Sequence, residues 1–503
     1  MRLFEFFLIV ILALFFLIPM LFLFKRQSYA KYISDVGIIV FFIHFIYEGL
    51  RLQMILIYTI MIIMLLIVFI KDYIVKSNGQ YFNDEITQYF LNAFMIFALI
   101  VSSLLPTYIP VLTLPETTGK YLVSTSSYKW TDTSRLESLS ENQTEPREIM
   151  VQFWYPGKIN ENSEKALYLP DADIMINALN YGETYIERTI RSVINTSLFN
   201  QLYHFKSNSY KNEIISDNQQ SFPVIIFSHG IAGLRTQNTF LCEELASHGY
   251  IVISIDHTYE SFITVFPDNS IRISKTNELI NKRYLYDDLA IDDQENLKFM
   301  DIRKKDILFT LEKLKKLINQ ENNPFLDARV DMSKIGIIGF STGGSLASHM
   351  ALKDERIKAG INLDGILFKS TENFLTNETQ SIPFFFFISD TYSKNSLETN
   401  KIDYLQVPLQ EYHYRMDKMY NHLNTSYKAT IKDSGHFNFC EYALFMPFLR
   451  NRKLAGNIDP KLSLQITSEY SIAFFNKYLK NSPNKYFESI NKKYPEVIFE
   501  HNN

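Results

Sequence analysis

The sequence predicts an α/β chain, with a mostly parallel central sheet and flanking helices, preceded by an N-terminal helical region that spans a membrane. Three observations predict it. Lys334-Ile335-Gly336-Ile337-Ile338-Gly339-Phe340-Ser341-Thr342-Gly343-Gly344 runs from an apolar segment, through a glycine-flanked serine, into a helical pattern opening at Ser345. Apolar runs at 222–227, 358–363, 383–389 and 427–432 read as strands, and the unbroken Phe384 to Phe387 suits a strand covered on both faces. Residues 6–24, 52–70 and 89–115 carry no charged side chain, and about 20 apolar residues cross a bilayer.

Taken in chain order, the membrane region occupies residues 1–115 and holds four spans at 6–24, 33–50, 52–70 and 88–112. The second is the weakest. Its apolar centre runs from Val36 to Tyr47, between Asp35 and Glu48, and contains His44. Ionisable groups are costly at membrane depth, so Asp35 and Glu48 are expected at interfaces and His44 neutral between helices. The first segment is not read as a secretory signal, because no small-residue cleavage site follows and further apolar segments do. Lys25, Arg26, Lys31, Lys71 and Lys76 fall on one side of the bilayer, against Arg2 and Arg51 on the other. The lysine- and arginine-rich side is cytoplasmic, which puts the large carboxyl-terminal domain outside a cell membrane.

Residues 119–503 have room for one large domain. Residues 133–146 are polar and read as a loop between its first strands. Phe222-Pro223-Val224-Ile225-Ile226-Phe227-Ser228-His229-Gly230-Ile231 reads as a strand entering a loop, in which His229 is a structural hydrogen-bonding residue. Asp256 and His257 terminate a strand and anchor the segment above it. Residues 258–300, charged and helical in pattern, read as a cap or lid before a helix from Asp301 to Ile318.

The serine segment is strand, sharp turn and helix. Side chains at 339 and 343 would collide with neighbouring elements, so the turn requires glycine there, and it projects the Ser341 hydroxyl at a helix N-terminus. Such a hydroxyl needs a histidine base oriented by a carboxylate, following in the order acid then histidine. His436, in Asp433-Ser434-Gly435-His436-Phe437, lies on a loop just past a late strand and can swing over the serine. His422 in a polar helical stretch, His349 in the helix after the serine and His44 in a membrane segment are less well placed. Two carboxylates compete: Asp364 ends one strand and Asp390 the next, both at the carboxyl edge where sites of open α/β sheets lie. Turn or helix-cap aspartates are common at strand ends, and spacing does not choose between the two.

These segments together resemble the platelet-activating factor acetylhydrolases, also described as lipoprotein-associated phospholipase A2-like lipases, within the α/β-hydrolase superfamily. The resemblance rests on the serine turn, on residues 222–231, on Glu243-Glu244-Leu245-Ala246-Ser247-His248-Gly249-Tyr250-Ile251-Val252, on Ile255-Asp256-His257-Thr258-Tyr259, and on Arg147-Glu148-Ile149-Met150-Val151-Gln152-Phe153-Trp154-Tyr155-Pro156. It covers roughly residues 119 to 450. The family's acid follows the strand after the serine helix, so the resemblance selects Asp364 within Leu363-Asp364-Gly365, and its histidine motif maps onto Gly435-His436-Phe437-Asn438-Phe439. Family members usually carry His before the serine and often Phe after it, whereas this chain has Phe340 and Thr342. Position 342 serves through its backbone N–H, which any side chain leaves intact, but the smaller Thr342 reshapes the acyl pocket.

The expected chemistry is ester hydrolysis through an acyl-serine, with the N–H groups of Ile231 and Thr342 binding the oxyanion and with no metal or cofactor. No metal-ligand cluster, phosphate-cradling glycine loop or dinucleotide fingerprint occurs in the sequence. The substrate class is a lipid or small-molecule ester, with short or oxidised acyl chains of phospholipids as examples. A net charge of −4 argues against nucleic acid, and Cys242 and Cys440 read as buried thiols. Trp154, Tyr155 and the Phe384–Phe387 run are expected in the core. An outward-facing domain and abundant Asn, Lys and Ile suit a bacterial surface enzyme. Two other functions fit the same sequence: an acyltransferase delivering the acyl group to another alcohol, and a non-catalytic membrane sensor with a hydrolase fold.

Overall fold

The computed structural model describes the chain except for residues 1, 23–26, 79–84, 109–111, 143, 182–202, 277–288, 319–328, 368–370, 372–374, 376–380, 393–400, 403–406, 447–448, 450–453, 484 and 503. It divides into two compact units, Met1–Leu112 with Ile194–Gln201, and Thr113–Val193 with Leu202–Asn503.

The first unit contains helices α1 (Leu3–Phe22), α2 (Gln27–Tyr47), α3 (Ile55–Asn78) and α4 (Glu85–Tyr108). A thin core of Leu8, Leu12, Phe16, Ile57, Met61, Met64 and Leu99 joins them. Large apolar side chains such as Phe42, Phe69, Phe94 and Phe97 point outward. An apolar surface of that size belongs against lipid or a partner, not water. The windows Leu3–Met20 and Ala30–Tyr47 are long and apolar enough to cross a membrane, with 28% and 17% of their residues buried; Ile55–Ile70 and Gln88–Leu104 are shorter apolar stretches. Among the described residues, two of the four expected segments thus meet the full length of a span, and the other two are apolar helical stretches of lesser length. The second helix is also displaced from the expected 33–50. It starts at Gln27 and stops at Tyr47 because Gly49, at φ +70°, returns its N–H to the His44 carbonyl, a glycine-type helix stop. At this end of the bundle Glu5, His44 and Arg51 are paired: Arg2 and Arg51 with Glu5, and His44 with Glu48 and Tyr58.

The second unit is built on an eleven-stranded sheet. Its strands are β1 (Val123–Leu136), β2 (Pro146–Pro156), β3 (Lys165–Leu167), β4 (Lys206–Lys211), β5 (Phe222–Ser228), β6 (Ile251–Asp256), β9 (Val330–Phe340), β10 (Ile357–Leu363), β11 (Phe384–Ser389), β14 (Ser426–Ile431) and β15 (Val497–Asn502). Two hairpins lie outside it, β7 (Ile263–Val265) with β8 (Ile271–Ile273), and β12 (Lys401–Ile402) with β13 (Val407–Pro408). The order is β15-β14-β11-β10-β9-β5-β6-β2-β1-β4-β3, parallel from β14 through β6. The helices are α5 (Ala172–Tyr181), α6 (Thr239–Ser247), α7 (Leu289–Ile318), α8 (Thr342–Lys353), α9 (Leu409–His422), α10 (Tyr442–Phe445), α11 (Pro460–Lys480) and α12 (Lys485–Lys493).

Alternation along the strands makes two cores. Phe384 and Phe386, with Ile335 and Ile337, pack against α7, α8 and α9. Phe385 and Phe387, with Ile338 and Phe340, pack against α6 and α11. The phenylalanine run is thus a buried central strand covered on both faces, and Trp154 and Tyr155 are buried in β2.

Two expectations need correction. β1 runs to Leu136, so the first part of the expected 133–146 loop is strand. The expected helical cap at 258–300 begins instead with the β7–β8 hairpin, whose turn is set by Asn269 at φ +64° and by Asp268, which accepts from Ser270. β-branched alternation in Ile263-Thr264-Val265 and Ile271-Arg272-Ile273 outweighs the nearby charge. Residues 277–288 lie outside the described chain, and the following helix starts at Leu289 rather than Asp301.

Candidate active site

The site is assembled at the carboxyl ends of adjacent parallel strands. In register, Phe340 of β9 pairs with Leu363 of β10, and Leu363 pairs with Phe387 of β11. The residues that follow therefore emerge side by side. The Ser341 N–H donates to the Leu363 carbonyl at 2.9 Å, and the Asp364 N–H to Phe387 at 3.0 Å.

Ser341 has φ 55° and ψ −122°, a conformation costly to any side-chain-bearing residue. The glycines around it permit that turn. A Cβ at Gly339 would overlap the Gly343 carbonyl, and a Cβ at Gly343 would overlap the Ser228 carbonyl at the end of β5. Asp364 (φ 54°) and Ala232 (φ 49°) share the left-handed region, so strain gathers around this edge.

His436 lies in a short 3-10 turn after β14. Its Nδ1 is 2.8 Å from Asp364 Oδ2, while Asp364 Oδ1 accepts the Ser389 N–H at 2.7 Å. Asp364 and His436 are 2% and 3% exposed, and Ser341 9%. The Phe340 ring lies 4.7 Å from the imidazole and Tyr392 6.2 Å, forming an apolar collar around it. The competing carboxylate, Asp390, accepts the Asp433 N–H at 2.9 Å and so holds the turn that carries the histidine. That turn is braced from the other side. Asn238 donates to the Phe439 carbonyl, and the Phe240 N–H donates to Glu441, each at 2.6 Å. Burial pushes the Glu441 carboxyl up to about 8.

The loop after β5 closes the site. A side chain at Gly230 would place its Cβ 3.3 Å from the Ser341 Cβ, so the loop passes directly over the serine. Ile231 follows Gly230, and Thr342 is the first residue of α8, where N–H groups lack intrahelical partners. Beneath this loop is a buried polar network that the sequence reading missed. Arg303 of α7 donates to the His229 carbonyl at 2.6 Å and pairs with Glu260 at 2.7 Å. One turn along, Asp306 pairs with Arg147 and with His257 Nδ1, and His257 Nε2 is 3.4 Å from Ser228 Oγ. Burial opposes the charge on Asp306, yet Arg147 and His257 hold its carboxyl well below the usual range. Asp256 pairs with Arg235 instead of acting with His257. One signal was present in the sequence: Arg303 continues the buried stripe Ile307, Leu311 and Leu314, and a charge on an apolar stripe marks a built contact.

Cys242 and Cys440 are buried free thiols. Of the remaining histidines, His349 lies in α8, His422 at the end of α9 and His44 in α2.

Several known proteins are similar to this chain. The chain is 25% identical over 395 residues to the platelet-activating factor acetylhydrolase of Cavia porcellus, covering 76% of this chain and 81% of that protein. It is 24% identical over 423 residues to a protein of Arthroderma benhamiae described as a probable 1-alkyl-2-acetylglycerophosphocholine esterase, covering 80% of this chain and 98% of that one. The match to the Gallus gallus acetylhydrolase, at 23% identity, covers 52% of this chain and 63% of the relative. In structure it is similar to a ferulic acid esterase from Streptomyces cinnamoneus, with a TM-score of 0.57 and 22% identity, across 78% of this chain and 99% of that one, a likeness of fold. The model of the family described as platelet-activating factor acetylhydrolase, isoform II, matches residues 108–498, and the chain belongs to that family.

Proposed function

We propose that this chain, a carboxylic ester hydrolase by family, is a membrane-anchored serine esterase that works through an acyl-serine at Ser341. The observation that carries the reading is the Asp364–His436 contact of 2.8 Å, at the sheet edge from which the strained Ser341 turn also emerges. A carboxylate on Nδ1 fixes the neutral imidazole as the Nδ1–H tautomer, which leaves Nε2 as the base. His436 takes the proton of Ser341 as Oγ attacks the ester carbonyl, and the N–H groups of Ile231 and Thr342 receive the oxyanion. The alcohol leaves carrying that proton. Water, deprotonated by His436, then cleaves the acyl-serine. Asp364 steadies the transient imidazolium, and the Phe340 and Tyr392 rings limit water around it.

The substrate is a lipid or lipophilic ester with a short or oxidised acyl chain. The acetyl-ester activities for which the relatives are named support a short acyl chain, and an anchor that holds the enzyme near lipid supports a lipophilic ester. Four helices of the first unit form that anchor in a cell membrane, with the catalytic unit outside. The outward-facing apolar side chains and sparse burial of α1 and α2 support membrane insertion.

Labelling of the full-length protein with a fluorophosphonate probe, beside Ser341→Ala, tests the nucleophile. Serine-dependent labelling with release of free acid from p-nitrophenyl esters is expected. Labelling unchanged by Ser341→Ala would refute the reading, and transfer of the acyl group to added alcohols in preference to water would recast it as an acyltransferase.

A further inference from the structure

We propose that Arg303, with His229, is a positioning residue that aims the Ile231 N–H at the oxyanion by gripping the opposite end of the same peptide unit. The proposal rests on Ser341 being the acyl-bearing nucleophile and adds a residue to that site. The Gly230 carbonyl and the Ile231 N–H belong to one planar peptide, and no peptide bond in the described chain is cis. In a trans unit the C=O and N–H point in opposite directions. Whatever fixes the Gly230 oxygen therefore fixes the direction of the Ile231 proton.

Two donors fix it. His229 Nδ1 lies 2.6 Å from the Gly230 oxygen, and a carbonyl only accepts, so Nδ1 carries a proton. His229 Nε2 lies 2.8 Å from Ser261 Oγ, whose hydroxyl donates to it. Burial, and then the neighbouring Arg303 charge, push the His229 imidazole well below its ordinary range, in keeping with this neutral form. Arg303 Nη2 is 3.4 Å from the same Gly230 oxygen, while Nη1 donates to the preceding His229 carbonyl at 2.6 Å. The planar guanidinium thus spans two consecutive carbonyls, and Nε is fastened to Glu260. Below the loop, Gly230 donates its N–H to Gln237 at 2.8 Å. Arg303, His229, Glu260 and Gln237 are all nearly fully buried.

Stability alone does not account for this arrangement. Buried ion pairs are commonly no more stabilising than apolar side chains of similar volume, and Arg303 stands on a stripe where an apolar residue would pack. What the guanidinium supplies is direction. An oxyanion donor is worth about 10²–10³ in turnover only when it points at the developing charge.

The test uses the full-length enzyme and measures turnover per serine labelled at the fluorophosphonate end point, so that misfolded molecules drop out of the count. Arg303→Lys keeps the charge and the Glu260 partner but loses the planar bridge. Ser261→Ala removes the hydroxyl that sets the His229 tautomer without touching a charge. Arg303→Lys is expected to lower kcat per labelled site by about 10-fold or more with KM within about twofold, and Ser261→Ala to do so more weakly. Both are also expected to weaken a boronic acid, whose adduct fills the oxyanion site, more than a non-reacting substrate analogue. Turnover per labelled site within twofold of wild type in both variants overturns the proposal, as does an equal rise in KM for every ester. Loss of labelling dependence on Ser341 would instead refute the nucleophile assignment, so the two failures are separable.

Discussion

Nδ1 of His436 and Oδ2 of Asp364 are 2.8 Å apart across 72 residues of sequence. The second Asp364 oxygen is held by the Ser389 N–H, so the carboxylate has one oxygen for the sheet and one for the imidazole. Asp390, one strand over, spends a carboxylate oxygen on the Asp433 N–H.

The two aspartates should therefore respond differently to amidation. Asp364→Asn is expected to lower kcat by about 10³–10⁴-fold, because an amide facing Nδ1 favours the wrong tautomer. Asp390→Asn should cost about 10-fold or less, by loosening the turn that carries His436. Steady-state kinetics on a short-chain p-nitrophenyl ester decide the matter, and a larger loss in Asp390→Asn would exchange their roles.

That contrast marks how far the sequence could be read. The serine turn was legible because its constraints are local: Gly339 and Gly343 are needed wherever a strand turns this sharply into a helix. The choice between Asp364 and Asp390 was not, because both follow neighbouring parallel strands and only the register and the path of the histidine loop separate them. The family resemblance supplied that choice. The β7–β8 hairpin was missed because two three-residue strands are too short to show a period against charged surroundings. Arg303 and Asp306 were missed for the opposite reason. Their helix was recognised, but a charge inside an apolar stripe reveals its partners only when Arg147, Glu260 and the 229–230 carbonyls fold around it.

Strain at Ser341, the proposed nucleophile, predicts a trade between activity and stability. Ser341 sits at φ 55°, ψ −122°, which glycine adopts without penalty. Ser341→Gly should abolish hydrolysis and raise unfolding stability by about 1 kcal/mol, the strain relieved less the added freedom of the unfolded chain. Ser341→Ala, which keeps the Cβ, should abolish hydrolysis with little change in stability. Thermal unfolding of the three proteins side by side checks this, and equal midpoints for the glycine and alanine variants would argue against stored strain.

Glu441 predicts a pH dependence. Burial raises its carboxyl from about 4.5 to about 8, with Glu243 as a nearby like charge, while Oε1 accepts the Phe240 N–H. A carboxyl raised in the folded state binds a proton that the unfolded chain releases above about 4.5. Its stabilising contribution is therefore complete at low pH and declines as pH rises from about 4.5 to 8. Glu441→Gln, which mimics the protonated form, should flatten the fall in Tm between pH 5 and 8 relative to wild type. A parallel decline in both proteins would assign that pH dependence to other groups.

Sidedness can be read with a single thiol. Cys242 and Cys440 are buried, so the folded protein offers a low background to membrane-impermeant maleimides. Lys158 is a suitable probe position on the catalytic unit, since its side chain is 65% exposed and its partner Asp217 is also at the surface. Surface pairs of this kind contribute little, so Lys158→Cys should fold and turn over normally. The proposed topology, four spans with the Lys25, Arg26, Lys31, Lys71 and Lys76 loops inside, puts position 158 outside the cell. Lys158→Cys should then be labelled on intact cells, to the same extent as after permeabilisation. Labelling only after permeabilisation would reverse the orientation or change the number of spans by one, and would place the ester substrate on the cytoplasmic side of the bilayer.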